Sequence, residues 1–305
     1  MAIHSSHGPK PMRDIVRPSN PNADSEDGYG CVRYLEHSHP NPQAQWHFHD
    51  EYELHLVVST SGRVFVGDYI GSFEPGHLVL IGPGLPHHWL STDGPPKATT
   101  VGDVVLRFPG ASLLQGAAAI PELAEALPLL GRARHGIEFF GVSEHAREYF
   151  TRIKASQGLC RFAQFSALLG ELALCTDYRL LSVAQMRGSM GACEVQRLDA
   201  IVTRITADPR QAPLAASCAE ELEMTESRFG RFFRSATGRT YTNFVHRIRI
   251  DLACQLLREG DKALLDVCRE VGFTNVWTFT RHFNELKGIS PTEFRRQVRF
   301  TRNDN

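Results

Sequence analysis

The feature that most constrains this chain is a repeat near its C-terminus. Residues 214–247 and 263–297 match at a fixed offset: Arg231 with Arg281, Phe233 with Phe283, Gly238 with Gly288 and Phe244 with Phe294, all 50 apart. Upstream the offset is 49, since Ala219 faces Cys268 and Leu222 faces Val271, so the second copy carries one extra residue near Phe273. A matched set of aromatic, small and basic positions over such a length reports a duplicated supersecondary unit.

Each copy opens with a short helix containing a small residue, Ala219 or Cys268, against which another helix can cross closely. A turn follows, Glu223-Met224 in the first copy and Gly272-Phe273-Thr274 in the second. Thr225 or Asn275 then supplies an N-cap for a second helix. This is helix-turn-helix order, with the second helix free to enter a DNA major groove. On those second helices Phe229, Phe232 and Phe233, and Phe279 and Phe283, mark the buried side. The opposite side of the first carries Ser227, Arg228, Gly230, Arg231 and Arg234; that of the second carries Val276, Trp277, Thr278, Thr280 and Arg281. Arginine can donate two bonds to guanine O6 and N7, and Thr and Val methyls suit a thymine methyl. Any one of these residues is equally at home on a solvated helix face, but Arg231 and Arg281 recur at the same place in both copies. Glu220, Glu221, Glu223 and Glu226 oppose non-specific phosphate attraction in the first.

Residues 194–297 resemble the DNA-binding domain of the AraC/XylS family of bacterial transcription activators. The resemblance rests on Asp266-Val267-Cys268-Arg269-Glu270-Val271-Gly272-Phe273, on Phe279-Thr280-Arg281-His282-Phe283 and on Gly288-Ile289-Ser290-Pro291-Thr292-Glu293-Phe294-Arg295. The first copy agrees through Phe229-Gly230-Arg231-Phe232-Phe233, Thr237-Gly238 and Phe244, then Arg247-Ile248-Arg249 and Ala253. The resemblance implies two modules joined by one long helix, about Tyr241–Leu257, presenting both recognition helices to one DNA face. Cys268 replaces the family's usual Ala, and Glu223 stands where a turn glycine is common.

Ahead of this domain the texture changes. From Cys31 to about 115, short alternating runs such as Glu53–Val58, Arg63–Val66 and His77–Ile81 are cut by glycines and prolines, which predicts a small antiparallel barrel or sandwich. Residues 116–181 read as helical: Pro121–Leu130, Ser143–Lys154 and Arg161–Cys175, the last with Phe162, Phe165, Leu168, Leu169 and Leu172 at helical spacing. That stripe either packs on the barrel or pairs two subunits. Residues 1–30 read as a disordered tail, 182–193 as a linker and 194–305 as the DNA-binding domain. The expected fold class is α+β multidomain: a β-barrel with a helical extension, then an all-α double helix-turn-helix domain.

The segment Trp46-His47-Phe48-His49-Asp50-Glu51-Tyr52-Glu53 sets His47, His49 and Glu53 at positions of one parity, so a regular strand would point all three to one face. His87, after Gly76, Gly82 and Gly84, is a fourth candidate. This spacing resembles the two motifs of the cupin superfamily, with Gly82 in place of the motif's Pro and Ser91 in place of its final Asn. The resemblance implies a double-stranded β-barrel with a central pocket. His47, His49, Glu53 and His87 could hold Fe, Mn, Ni or Zn, could hydrogen-bond a metal-free ligand, or could be strand residues with no site role. Trp46 and Trp89 beside them would suit a sugar or a small aromatic, or belong to the core.

Charge follows the same division. Residues 1–193 hold 15 Lys and Arg against 19 Asp and Glu, while residues 194–305 hold 18 against 15. A mildly acidic front and a basic back fit a sensor joined to a polyanion binder. Seven scattered cysteines without C-x-x-C spacing read as reduced thiols. No run approaches the roughly 20 apolar residues of a membrane span, and the N-terminus lacks a signal peptide's apolar core, so cytoplasmic placement is expected. The resulting expectation is a transcription activator, not an enzyme, with no catalytic residues. Its partners would be double-stranded DNA, a small-molecule effector such as a sugar, a second copy in a homodimer and RNA polymerase, with no membrane. The alternative is a metal-dependent cupin enzyme carrying a DNA-binding domain.

Overall fold

The computed structural model describes residues 31–38, 46–91, 101–183 and 192–303. The tail expected over 1–30 and segment 184–191 of the expected linker lie outside these ranges.

The N-terminal strands are β1 (Arg33–Ser38), β2 (Tyr52–Val57), β3 (Gly62–Val66), β4 (Tyr69–Phe73), β5 (Leu78–Ile81), β6 (His87–Ser91) and β7 (Val101–Phe108). They form two antiparallel sheets, one containing the order β1-β7-β2-β5 and the other β4-β3-β6. Period-two alternation sorts their residues between two cores. Leu54, Leu56, Leu78, Leu80 and Leu106 pack outward against helices, whereas Val57, Val64, Val66, Val79, Ile81 and Trp89 form the cluster between the sheets.

The covering helices are α1 (Gly110–Ala119), α2 (Leu127–Ala133), α3 (Ser143–Lys154) and α4 (Gly158–Leu174), with a 3-10 turn at Pro121–Ala126. Phe165, Leu168, Leu169 and Leu172, the stripe foreseen on the last of these, are all buried in the same cluster as Leu54 and Phe108. Each buried side chain of this kind contributes about 1.5–3 kcal/mol. The stripe therefore seals the barrel's outer face. Two strands were not foreseen in this helical segment: β8 (Ile137–Phe139) and β9 (Tyr178–Leu180), which extend the larger sheet beyond β5. Three residues are too few to display a period of two, and their strand identity comes from pairing with a distant edge.

The C-terminal helices are α5 (Ala192–Ala207), α6 (Ala215–Glu221), α7 (Glu226–Thr237), α8 (Tyr241–Glu259), α9 (Leu264–Glu270), α10 (Val276–Lys287) and α11 (Pro291–Asn303). The long helix α8 serves two cores. Its Phe244, Val245 and Ile248 pack with α5, α6 and α7, while Ile250, Ala253, Cys254 and Leu257 pack with α9 and α10. One continuous helix thereby fixes both modules to each other. Among the described cysteines, Cys218, Cys254 and Cys268 are buried thiols inside these cores. No helix among the described residues is long and apolar enough to cross a membrane.

Candidate functional site

The two modules repeat each other down to their caps. The Thr225 side chain accepts from the Arg228 N–H at the start of α7, and Asn275 accepts from the Trp277 and Thr278 N–H groups at the start of α10. Both helices end on a left-handed glycine, Gly238 or Gly288. The turns differ as the sequence suggested. Glu223 takes φ +54, the same left-handed region in which Gly272 of the second copy takes φ +91. The extra residue of the second copy follows, at Thr274.

Ser227, Arg228, Arg231 and Arg234 are exposed on α7, as is Arg281 on α10, while Gly230, Val276, Thr278 and Thr280 are half-buried. The structure thus brings the α7 set, and Trp277, Thr278, Thr280 and Arg281 of α10, onto open helix faces, with Phe229, Phe233, Phe279 and Phe283 buried on the opposite sides. Val276, expected to face DNA, instead packs against the second core, because it lies three residues before Phe279 and seven before Phe283 on their side of the helix. Trp277 is 68% exposed, the guanidinium of Arg281 lies 5.2 Å from its ring centre, and that guanidinium also lies 3.9 Å from Glu285. A tryptophan left open to solvent beside a stacked arginine is a poor core residue and a good groove-facing pair. On α7 the Arg231 Nη1 donates to Ser227 Oγ at 3.2 Å.

The barrel site is assembled from less regular chain than expected. His47 lies in an isolated bridge, its N–H bonded to the His87 carbonyl and the reverse, and residues 48–50 are not strand. Glu53 lies in β2 and His87 opens β6. The four residues still converge: one ligand atom from each of His47, His49, Glu53 and His87 falls within 4.8 Å of the others. The rings of His47 and His87 are 4.3 Å apart, and those of His49 and His87 are 5.0 Å apart. Trp89 belongs to this interior, 5.8 Å from His87 and stacked on His55 at 3.9 Å. Trp46 does not: its ring packs on Phe65 at 5.8 Å, in the cluster shared with α5 and α8. Its parity, opposite to His47, sends it outward.

Glu53 is fully occupied. Its Oε2 accepts from Arg107 Nε at 2.7 Å and faces His49 Nε2 at 3.0 Å, while Oε1 lies 3.3 Å from His55 Nδ1. Burial alone would raise this carboxyl, but Arg107, His49 and His55 outweigh it and hold it well below the usual carboxylate range. Burial would likewise lower His55, yet Asp103 and Glu53 raise it to about 9. His87 stays neutral, lowered to about 3 chiefly by burial.

The donor geometry fits a divalent cation on the imidazoles. His87 Nδ1 donates to the Leu85 carbonyl at 2.7 Å, so the buried Nε2, which has no hydrogen-bond partner among the described residues, presents a lone pair. His49 Nδ1 similarly lies 2.9 Å from the Glu51 carbonyl. With that proton donated, its Nε2 and the Glu53 carboxylate are two acceptors at 3.0 Å, an arrangement that requires a proton or a cation between them. Carbonyl-oriented imidazoles of this kind are the supporting shell of metal sites. Arg107 and His55 already neutralise Glu53, which places the carboxylate better as an orienting group than as a fourth ligand.

Sequence reasoning missed several residues here. His55 shares the parity of Glu53 on β2 and was legible on that ground. Arg107 was not, since only the cross-strand register Glu53↔Arg107 brings it in. Asp199 of α5 accepts the Trp46 backbone N–H at 2.8 Å, across 153 residues, and nothing local announces it.

A family model described as an AraC-like ligand binding domain matches residues 30–130, and one described as a helix-turn-helix domain matches residues 218–297. Together they span more than half of the chain. The chain is similar to the MmsAB operon regulatory protein of Pseudomonas aeruginosa, 33% identical over 86 residues, 28% of this chain and only 27% of that protein. It is similar along most of its length to the RCS-specific HTH-type transcriptional activator RclR of Escherichia coli, 21% identical over 259 residues, 84% of this chain and 85% of that one. Among solved structures, the DNA-binding domain of AdpA in complex with a target DNA is 25% identical with a TM-score of 0.34, covering 36% of this chain and 98% of that one. From the two matched domains and their order, the chain belongs to the AraC-type family, with an AraC-like ligand-binding domain ahead of a helix-turn-helix domain.

Proposed function

We propose that the protein is a cytoplasmic transcription regulator, an activator, whose grip on double-stranded DNA is controlled by a small molecule in the barrel. One observation carries the control. Trp46, the residue before the first histidine of the barrel site, has its N–H on Asp199 of α5 and its ring on Phe65, which in turn stacks on Phe244 of α8 at 5.9 Å. A ligand that moves His47 must move Trp46, and the DNA-binding domain feels the shift. The effect is limited to the ligand's differential affinity for the two arrangements. The polar interior with Trp89 suits a sugar-sized effector. A homodimer and contact with RNA polymerase complete the proposed partners.

The test is a thermal-shift screen of sugars and small acids on the full chain, followed by footprinting on the DNA it selects. An effector that raises the melting temperature and also changes the footprint supports the reading. An effector that does one without the other overturns the coupling. The convergent imidazoles favour a second component, a bound Zn, Fe, Mn or Ni ion on His47, His49 and His87. Metal analysis of purified protein and of His87→Ala decides it. Stoichiometric metal in the parent, lost in the variant, supports the ion, and turnover by that metal-loaded protein would favour a cupin enzyme instead.

A further inference from the structure

A cleft of about 840 Å3 separates the outer face of β3 and β4 from α8, α10 and the Pro209 turn. It is distinct from the barrel interior, and its lining is polar and rich in arginine. Three of its four acids are engaged: Asp251 holds Lys287 at 2.8 Å, Asp208 holds Arg210 at 2.8 Å, and Glu270 holds Lys262 at 2.6 Å, while Glu74 stands exposed at the end of β4. Three guanidinium groups of the lining have no carboxylate within ion-pair distance among the described residues: Arg258, which is exposed and lies 5.6 Å from the Phe294 ring centre, Arg63 and Arg247. Arg63 of β3 makes only a long bond, 3.4 Å, to the Ile248 carbonyl of α8. Arg247 of α8 makes no hydrogen bond or ion pair among the described residues; Arg239 adds like charge beside it, against the longer-range attraction of Asp251 and Asp68. Both arginines are half-buried, and burial pushes both down from the usual guanidinium range, outweighing the attraction of Asp251 that both feel.

We propose that this cleft binds a small organic anion, whose phosphate or carboxylate is held jointly by Arg63 of the barrel and Arg247 of the DNA-binding domain. Guanidinium forks match both groups in bidentate fashion. Ile70, Leu252 and Leu256 supply apolar wall for the rest of the molecule, and the volume is that of a small-molecule site. Because the two arginines belong to different domains, the anion favours the arrangement in which the domains are docked. The cleft is thus a second input, independent of the barrel histidines.

The experiment is calorimetric titration of the full chain with inorganic phosphate, succinate and a hexose phosphate, at fixed ionic strength so that screening is constant. One of these should bind saturably at one site and raise the melting temperature. Comparing the three shows whether phosphate or carboxylate is preferred. Arg63→Gln and Arg247→Gln should each weaken that binding about tenfold or more with the unliganded melting temperature kept. Arg228→Gln, on the DNA-facing surface, should leave it unchanged. If Arg63→Gln does not fold, Arg247→Gln and Arg247→Lys carry the test, the lysine keeping charge but losing the fork. Absence of saturable binding by all three anions, undiminished affinity in Arg247→Gln, or loss in Arg228→Gln would each overturn the proposal.

Discussion

At the residue scale the two modules differ most at one backbone position. Glu223 and Gly272 occupy the same turn and both have positive φ, which strains any side chain bearing a Cβ. Glu223→Gly should therefore stabilise the first module by about 0.5–1 kcal/mol, after the loss of chain stiffness in the unfolded state is deducted. The reciprocal change is worse than conformational: a Cβ on Gly272 would lie 2.9 Å from the Arg210 backbone and 3.1 Å from the Arg249 guanidinium. Gly272→Ala should cost about 1–3 kcal/mol in denaturant unfolding, and equal stabilities for parent and variant would refute this account of the turn. His246 gives the domain a pH dependence. Burial, then His282, Arg249 and Arg281, depress it to about 4 against the favourable Glu285. The unfolded chain takes up this proton first, near pH 6.5. The contribution is complete above that pH and is lost as pH falls from about 6.5 toward 4. His246→Phe should flatten the decline in melting temperature over that window.

At the scale of elements, α10 is the better defined recognition helix, with a double N-cap on Asn275 and the exposed Trp277–Arg281 pair. Asn275→Ala should cost about 1 kcal/mol of stability. Arg281→Ala should weaken specific DNA binding by about 1–3 kcal/mol and relax preference at one base pair, read by footprinting against randomised sites. Unchanged binding by that variant would remove Arg281 from the interface. These elements were legible because each signal is local: a cap, a stripe at three- and four-residue spacing, an offset of 50. The strands of the barrel were legible for the same reason, through alternation and turn residues. Where identity is conferred from a distance the sequence was silent. β8 and β9 are strands only because an edge receives them. His47 and His49 reach the site without the regular strand their parity suggested, and Trp46 was grouped with them although it belongs to the seam.

At the scale of the whole molecule, that seam is the element on which the proposed control rests. Phe65 and Trp46 of the barrel sit in one core with Phe244 and Ile248 of α8. A polar tie stands beside it: Arg239, after the end of α7, donates from Nε to the Asp68 carbonyl and pairs through Nη2 with its carboxylate at 3.2 Å. Asp68 is buried and also accepts from Ser182 Oγ at 2.6 Å and the Val183 N–H at 3.0 Å, so the start of the interdomain segment closes on the same carboxylate. Removing the guanidinium takes its ion pair from this buried carboxylate, a loss of about 2 kcal/mol for a charge-assisted contact. The apolar part of the seam is untouched by that change, so the domains should loosen rather than unfold. The consequence is measurable by calorimetry. The parent chain should melt in one transition because its two halves share a core. Arg239→Ala should split it into two, the barrel with α1–α4 and the double helix-turn-helix, each close to its own stability. If the variant still melts as a single unit, the apolar contacts alone hold the domains together, and the Asp68 tie is not what a ligand would have to break.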